Sequence, residues 1–213
     1  MNIFVLAAGG HSGVVIDALR SRNVNPAGIL ESKPELWGTL IHGVRVVGSD
    51  SELDSMSPDE LQLANGLGNS ASRSAPGLEL RQTIFEKFRS RRFRFPPIIH
   101  AQALVAPSAS LDEGVQAMAG AVVQPGASIG ANALLNTRSL IEHDCRVGAH
   151  AHIAPGAILC GGVTIGEGSH VGAGAIVLQG RMIGRGTVIA AGAIVTANVA
   201  DGETYGRPAL DKQ

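Results

Sequence analysis

The chain has 213 residues and a net charge of −1, from 17 basic and 18 acidic side chains. That balance, without a long run of like charge, carries no electrostatic footprint for nucleic acid or an anionic membrane surface, and Arg89, Arg91, Arg92 and Arg94 read as the solvated end of a helix and the start of a strand. Cys145 and Cys160 lack metal or redox spacing, Met1 to His11 is no signal peptide, and no segment is long and apolar enough to span a bilayer, so a cytoplasmic protein of one large or two small domains is expected.

Ile3 to Ala8 is a continuous apolar run ending in Gly9-Gly10-His11, and Ser12 to Arg20 sets Val14, Val15, Ala18 and Leu19 at helical spacing, which predicts strand, glycine turn, helix. Further strands are predicted at Gly28 to Glu31, Val44 to Gly48, Leu61 to Gly68 and Phe93 to Ile99, with a helix from about Leu78 to Arg91. This alternation favours a small parallel α/β sheet, Rossmann-like, over residues 1–100. The glycine turn of such a sheet exposes backbone N–H groups at a helix N-terminus and suits a phosphate. Ala7-Ala8-Gly9-Gly10-His11 is not the dinucleotide fingerprint, however, and a tight turn without a ligand is the alternative. Glu31 and Gly68-Asn69 follow later strands at the same carboxyl edge, so three loops would frame a nucleotide-sized crevice.

From Val105 to Val199 the sequence repeats every six residues without an insertion. The hexads begin at sixteen positions from Val105 to Val195, and fifteen of these are Val, Leu or Ile. The fourth place is mostly Gly or Asn, residues that tolerate positive φ, and the fifth is mostly Ala or Ser. A large aliphatic residue, a turn and a small residue every six describe a parallel β-helix over residues 101–213. Three hexads make one coil, and residues eighteen apart stack at the strand spacing of about 4.8 Å. Arg181, at a normally small position, has no explanation in this pattern.

Polar residues interrupt the repeat in one place. Asn136 to Cys145 places His143 at a corner that is Pro125 one coil earlier and Gly161 one coil later, flanked by Glu142 and Asp144, and His150, His152 and His170 follow. In the functional reading His143 is a general base whose tautomer is held by Asp144 or Glu142, suited to deprotonating an amine or hydroxyl that attacks a thioester. The bland reading is a solvated turn pair.

Gly-Gly-His after the first strand, Gly68-Asn69, Asn136 with Ile141-Glu142-His143-Asp144-Cys145, and a repeat running to Gly206-Arg207-Pro208-Ala209 resemble one bacterial sugar acyltransferase family. Its members include sialic acid O-acetyltransferases and N-acetyltransferases acting on nucleotide-linked bacillosamine and perosamine. The resemblance implies a left-handed β-helix, a homotrimer, acetyl-CoA as acyl donor and a nucleotide-linked amino sugar as acceptor. Residue by residue it implies His143 as catalytic base, oriented by Asp144; His152 beside the acyl-CoA, with Gly161, Ala173 and Ala191 along the pantetheine; and Gly9, Gly10, His11, Glu31, Ser32, Gly68 and Asn69 at the nucleotide. Asn136 would face the acceptor group. The chain departs from the family pattern at Ala7, often glycine, at Gly13, commonly lysine, and at Glu31-Ser32, where the family has an acidic pair.

N-acetyl transfer to a nucleotide-linked amino sugar is therefore expected, with O-acetylation of a sugar hydroxyl as the near alternative. A zinc hydratase of the γ-carbonic anhydrase type, using His150, His152 and His170, and a non-catalytic solenoid are the remote ones. The expected site holds no metal, and Cys145 and Cys160 pack as small hydrophobes.

Overall fold

The computed structural model describes residues 2–68 and 77–206. The chain divides into two compact units, Met1–Ala101 and Gln102–Gln213. In the first, β1 (Asn2–Leu6) lies between β2 (Gly28–Leu30) and β5 (Leu61–Asn65), parallel to both, and β4 (Val44–Gly48) continues the sheet parallel to β2. β3 (Leu40–Ile41) pairs antiparallel with β4 and forms a hairpin edge that the sequence reading did not include. The helices are α1 (Gly10–Arg20) and α2 (Gly77–Ser90). Phe93 to Ile99, expected as one strand, is instead a single bridge from Arg94 to Gln62 and a two-residue strand at Ile98–Ile99, because Pro96 and Pro97 carry no N–H for a ladder.

The sheet owes its stability to side chains that its two helices cover. Val5, Ile29, Val46 and Leu63 are fully buried, as are Val15 and Ile16 of α1 and Phe85 and Phe88 of α2. Each such side chain contributes about 1.5–3 kcal/mol of apolar burial. No helix of the described residues is long and apolar enough to cross a membrane.

The second unit is a coil of two-residue strands, one per hexad, from Leu104–Val105 to Ile194–Val195. Strands eighteen residues apart pair in parallel, as in Val123 with Ile141 and Ile141 with Leu159, and so build three flat sheets. The hexad aliphatics Ile141, Ile153, Leu159, Val171, Val177 and Ile189 are at zero exposure and form the internal ladders. The fourth place is indeed the corner: every glycine there from Gly114 to Gly192 has positive φ. Four consecutive corners differ. Asn132, Arg138, Asp144 and His150, the last stacked one coil above the first, take the same left-handed conformation, with φ of 56°, 56°, 61° and 60°, although none is glycine. Asn198, expected at a corner, does not adopt it; its Oδ1 instead accepts from the Met182 amide, where the chain leaves the regular coil.

One outward column is apolar throughout. Leu104, Val122, Leu140, Ile158, Ile176 and Ile194 precede the internal residues of one sheet, half-buried in the middle coils and exposed at both ends. The equivalent column of a second sheet is Ser110, Ser128, Arg146, Thr164 and Met182.

Candidate active site

His143 and Asp144 occupy the corner after the strand Leu140–Ile141, and the backbone ladder fixes that corner. The Asp144 amide donates to Pro125 O at 3.1 Å one coil below, and the Gly162 amide donates to His143 O at 2.9 Å one coil above. The side chains meet across the turn, His143 Nδ1 to Asp144 Oδ2 at 2.9 Å, and both are well exposed. A carboxylate only accepts, so Nδ1 carries the proton and the Nε2 lone pair is free to take another. The hydrogen bond to Asp144 raises the His143 pKa above the ordinary imidazole value; desolvation opposes this, and the charges of Asp144 and Glu142 add to it. Asp144 is thus the residue bonded to His143, and Glu142 acts on it only through space.

Two glycines make room for the pair. A Cβ on Gly161 would stand 2.5 Å from His143 Nε2, and one on Gly126 would stand 2.5 Å from Asp144 Oδ1. Gly161 therefore abuts the imidazole directly. Ala173 and Ala191 stack one coil apart at the neighbouring corner, exposed, with the Gly192 amide donating to Ala173 O at 2.8 Å. They offer small side chains on a smooth edge.

His152 is buried on a sheet face, paired in register with His170. The two rings meet edge to face, with centroids 4.8 Å apart. Asn136 lies against His152, Nδ2 to Nε2 at 3.1 Å, while its Oδ1 accepts from the Thr137 amide at 2.8 Å. Asn136 was expected to face an acceptor; both ends of its amide are engaged within the chain. His150 bonds to Asn132 instead, Nδ1 to Nδ2 at 3.0 Å. Among the described residues no three His, Cys, Asp or Glu side chains converge as a metal site. Cys145 is buried, which pushes its thiol pKa up, and its Sγ donates to Cys160 O at 3.2 Å. Arg181 turns outward, and its Nε donates to Gln179 O at 3.3 Å.

The first unit gathers the other expected residues at the carboxyl edge of its sheet. Ala7 has φ of 73°, the conformation glycine adopts more easily. α1 starts after Gly9 without a side-chain cap or an acidic residue in its first turn, so its positive end is not offset from within the helix. Glu31 braces this turn. Its Oε2 accepts from the Ala8 amide at 2.8 Å, and its Oε1 from the Lys33 amide at 3.1 Å and Ser32 Oγ at 3.0 Å. Burial pushes the Glu31 pKa up, but these bonds together hold it below the ordinary carboxylate value. Gly68 lies against His11, 3.1 Å from a Cβ built on the glycine to the His11 Cβ; Asn69 lies outside the described residues.

Three residues near this edge were missed. Arg81 of α2 is fully buried, and its Nη1 donates to Asn65 O at 3.2 Å and Leu67 O at 2.8 Å, fixing the backbone that leads to Gly68; burial lowers its pKa to about 9. A buried arginine inside an otherwise ordinary helical pattern gives no sequence signal. Trp37 donates through Nε1 to Glu31 O at 2.7 Å and keeps 44% exposure. His42, held by Arg20 Nη1 donating to its carbonyl at 2.7 Å, lays its ring on Gly13, where an added Cβ would stand 2.4 Å from Nε2. The missing side chain at position 13 was the available signal.

Comparison with known proteins agrees with this architecture. Residues 2–75 match the PglD N-terminal domain, residues 144–179 the bacterial transferase hexapeptide (six repeats), and residues 162–197 the hexapeptide repeat of succinyl-transferase. A search of curated proteins returns no match. Among solved structures, the acetyltransferase domain of PglB from Neisseria gonorrhoeae FA1090, in complex with acetyl coenzyme A, is 33% identical over 95% of this chain and 94% of that one, with a TM-score of 0.86. A mutant of perosamine N-acetyltransferase from Caulobacter crescentus, in complex with CoA and GDP-perosamine, is 34% identical over 100% and 97%, with a TM-score of 0.87. WeeI from Acinetobacter baumannii AYE shares the fold at 22% identity, a TM-score of 0.76 and 98% coverage of both chains.

The α/β unit followed by a hexapeptide coil is thus that of the left-handed β-helix acyltransferases, and this chain is an enzyme of that class. It belongs to the bacterial sugar acyltransferase family.

Proposed function

We propose that the protein transfers acetyl from acetyl-CoA to the amino group of a nucleotide-linked amino sugar. The observation that carries this reading is the His143–Asp144 dyad, bonded through Nδ1 and with Nε2 lying against Gly161. Acetyl-CoA supplies an activated thioester. His143 Nε2 takes the proton released as the amine nitrogen bonds to the acyl carbon; the acyl C–S bond then breaks, and the imidazolium returns that proton to the departing CoA thiolate, while Asp144 keeps the imidazole in one orientation and stabilises its charged form. Gly161, Ala173 and Ala191 fit the donor because none carries a side chain large enough to obstruct an extended chain. The buried thiol of Cys145, with its raised pKa, is a poor nucleophile, which favours direct attack over an acyl-cysteine.

In the first unit, Gly9, Gly10, His11, Ser32, Gly68 and Asn69 are assigned to the nucleotide, with Glu31 holding the turn that receives it. The two units, divided after Ala101, act as nucleotide-binding and acyl-transfer domains. The apolar column from Leu104 to Ile194 supports a homotrimer, since an aliphatic row of six coils left in water would be an unusual monomer surface.

The test is release of free CoA thiol from acetyl-CoA against a panel of nucleotide-linked amino sugars and the corresponding hydroxyl sugars. Turnover with an amino sugar, reduced about 10²- to 10⁴-fold in His143→Ala, is expected for loss of a general base. Undiminished turnover in that variant removes His143 from the mechanism, and turnover with hydroxyl sugars alone replaces N- by O-acetylation.

A further inference from the structure

Trp37 combines two properties that a core tryptophan does not. It keeps 44% exposure, and yet its one polar side-chain atom is engaged, Nε1 donating to Glu31 O at 2.7 Å. With that atom anchored, what the side chain offers to solvent is ring carbon held at a fixed point. An aromatic surface pinned through its polar end and left open in this way suits recognition of another flat group.

The strand ladder places the indole. The Ala7 amide donates to Leu30 O at 2.7 Å, so Leu30 faces β1; the next residue faces the other way, its amide donating to Gly48 O of β4 at 2.8 Å. The Glu31 carbonyl points to that same side, and Trp37 bonds to it there. The indole nitrogen therefore lies at the carboxyl end of the β2–β4 pair, whereas the turn of Ala8 and Gly9 lies at the end of β1, and neighbouring strands are about 4.8 Å apart. Glu31 ties the two together, because its carboxylate accepts from the Ala8 amide and its carbonyl from the indole. A ligand whose phosphate sits at the turn thus meets a flat apolar ring beside the next strand, where the ribose carries the base.

Glu31 itself has little left with which to read a nucleoside. Three of the roughly four acceptor positions of its carboxylate are taken by the Ala8 amide, the Lys33 amide and the Ser32 hydroxyl. Selection of the base is left to the ring. Every base has a π-face, and the stacked area grows from one ring to two, so such a platform grades ligands by ring size rather than by hydrogen-bonding edge.

We propose that Trp37 is the nucleobase platform of the first unit and gives the protein a preference for purine over pyrimidine nucleoside diphosphates, without distinguishing adenine from guanine. This rests on the reading that assigns the turn at Gly9 and Gly10 to the nucleotide, and it adds the residue that selects the base.

Isothermal titration calorimetry of the full-length protein with ADP, GDP, UDP and CDP tests the platform. The wild type is expected to bind ADP and GDP with Kd values within about threefold of each other and about tenfold below those of UDP and CDP. Trp37→Ala is expected to weaken both purine nucleotides about tenfold and to bring all the Kd values together. Trp37→Phe keeps a stacking face without the bond to Glu31 and is expected to keep the purine preference. A wild type that binds UDP or CDP as tightly as the purines, or that separates ADP from GDP by more than about threefold, overturns the proposal. A rise by one common factor for all the nucleotides in Trp37→Ala assigns Trp37 to the Glu31 brace and overturns it as well. Unchanged Kd values in Trp37→Ala overturn the platform while the nucleotide site stands, and no saturable binding of any nucleotide to the wild type removes the nucleotide reading and the platform with it.

Discussion

The imidazole of His143 lies on the backbone of Gly161, one coil above it, so closely that a single added methyl would stand 2.5 Å from Nε2 and 2.7 Å from Cε1. Gly161 is not in the left-handed region, so alanine suits its backbone, and the group it would displace is the exposed end of a side chain. Gly161→Ala is therefore expected to leave thermal stability within about 0.5 kcal/mol of wild type. Moving the base by an ångström should nonetheless lower kcat by about 10- to 100-fold. Wild-type kcat in a folded Gly161→Ala would mean that Nε2 takes no part in proton transfer.

The hydrogen bond between His143 and Asp144 sets the direction of a pH effect. A general base works unprotonated, so activity rises with pH through the His143 pKa, and Asp144 raises that pKa. Asp144→Asn removes the charge and the strongest acceptor, which moves the acid limb of kcat/KM to lower pH and lowers the plateau, because the remaining imidazole is a weaker base. An acid limb that stays in place in Asp144→Asn would show that another group titrates there.

Asp144 also sits in a backbone conformation that glycine would hold at less cost, as do Asn132, Arg138 and His150 at the consecutive corners around it. The left-handed region costs a residue with a Cβ about 1–2 kcal/mol, against about 0.5–1 kcal/mol for the extra freedom of an unfolded glycine. Arg138→Gly is expected to stabilise the protein by roughly 0.5–1 kcal/mol, or about 1–4 °C in Tm, without loss of turnover. Asp144→Gly should gain similar stability and lose activity. A fall in Tm for Arg138→Gly would refute the strain at this coil.

Much of this was legible in the sequence, because a period of six is imposed by the coil itself and the internal aliphatics and corner glycines must recur with it. The polar interruption of that period from Asn136 to Cys145, with the histidines that follow it, pointed to the candidate site. The hairpin edge at Leu40–Ile41 was not legible, since two residues are too short for a periodic signal, and the position of His42 on Gly13 depends on how that hairpin folds back. Whether Glu142 or Asp144 holds His143 required the corner geometry. The apolar column was present in the sequence, at every third residue preceding an internal aliphatic, but it emerges only when the three sheets are separated.

That column yields a prediction about assembly. Ile158 is in its centre, between Leu140 and Ile176, and its side chain points away from the coil's interior. Ile158→Glu leaves the internal ladder untouched and places three like charges around the proposed threefold axis. The variant is expected to run as a folded monomer in light-scattering chromatography, with circular dichroism of the wild type. A trimeric Ile158→Glu would place the interface elsewhere.

Glu31 offers a test of the nucleotide site that is independent of acyl transfer. Its carboxylate holds the Ala8 amide on one side and the Lys33 amide and Ser32 on the other, and its carbonyl accepts from Trp37, the chain's single tryptophan. Because its folded pKa is held below that of the unfolded chain, the stability it contributes is present above the ordinary carboxylate value of 4.5 and is lost as pH falls through the folded value. Glu31→Gln should therefore flatten the acid limb of the stability profile below about pH 4.5 while destabilising the protein at neutral pH. A nucleoside diphosphate bound at the braced turn is expected to change Trp37 fluorescence in the wild type, with a Kd raised about tenfold in Glu31→Gln, where one oxygen of the brace becomes a donor. Equal Kd values in the two proteins would separate the Glu31 brace from nucleotide binding, and the absence of any saturable fluorescence change with nucleoside diphosphates would count against the nucleotide site itself.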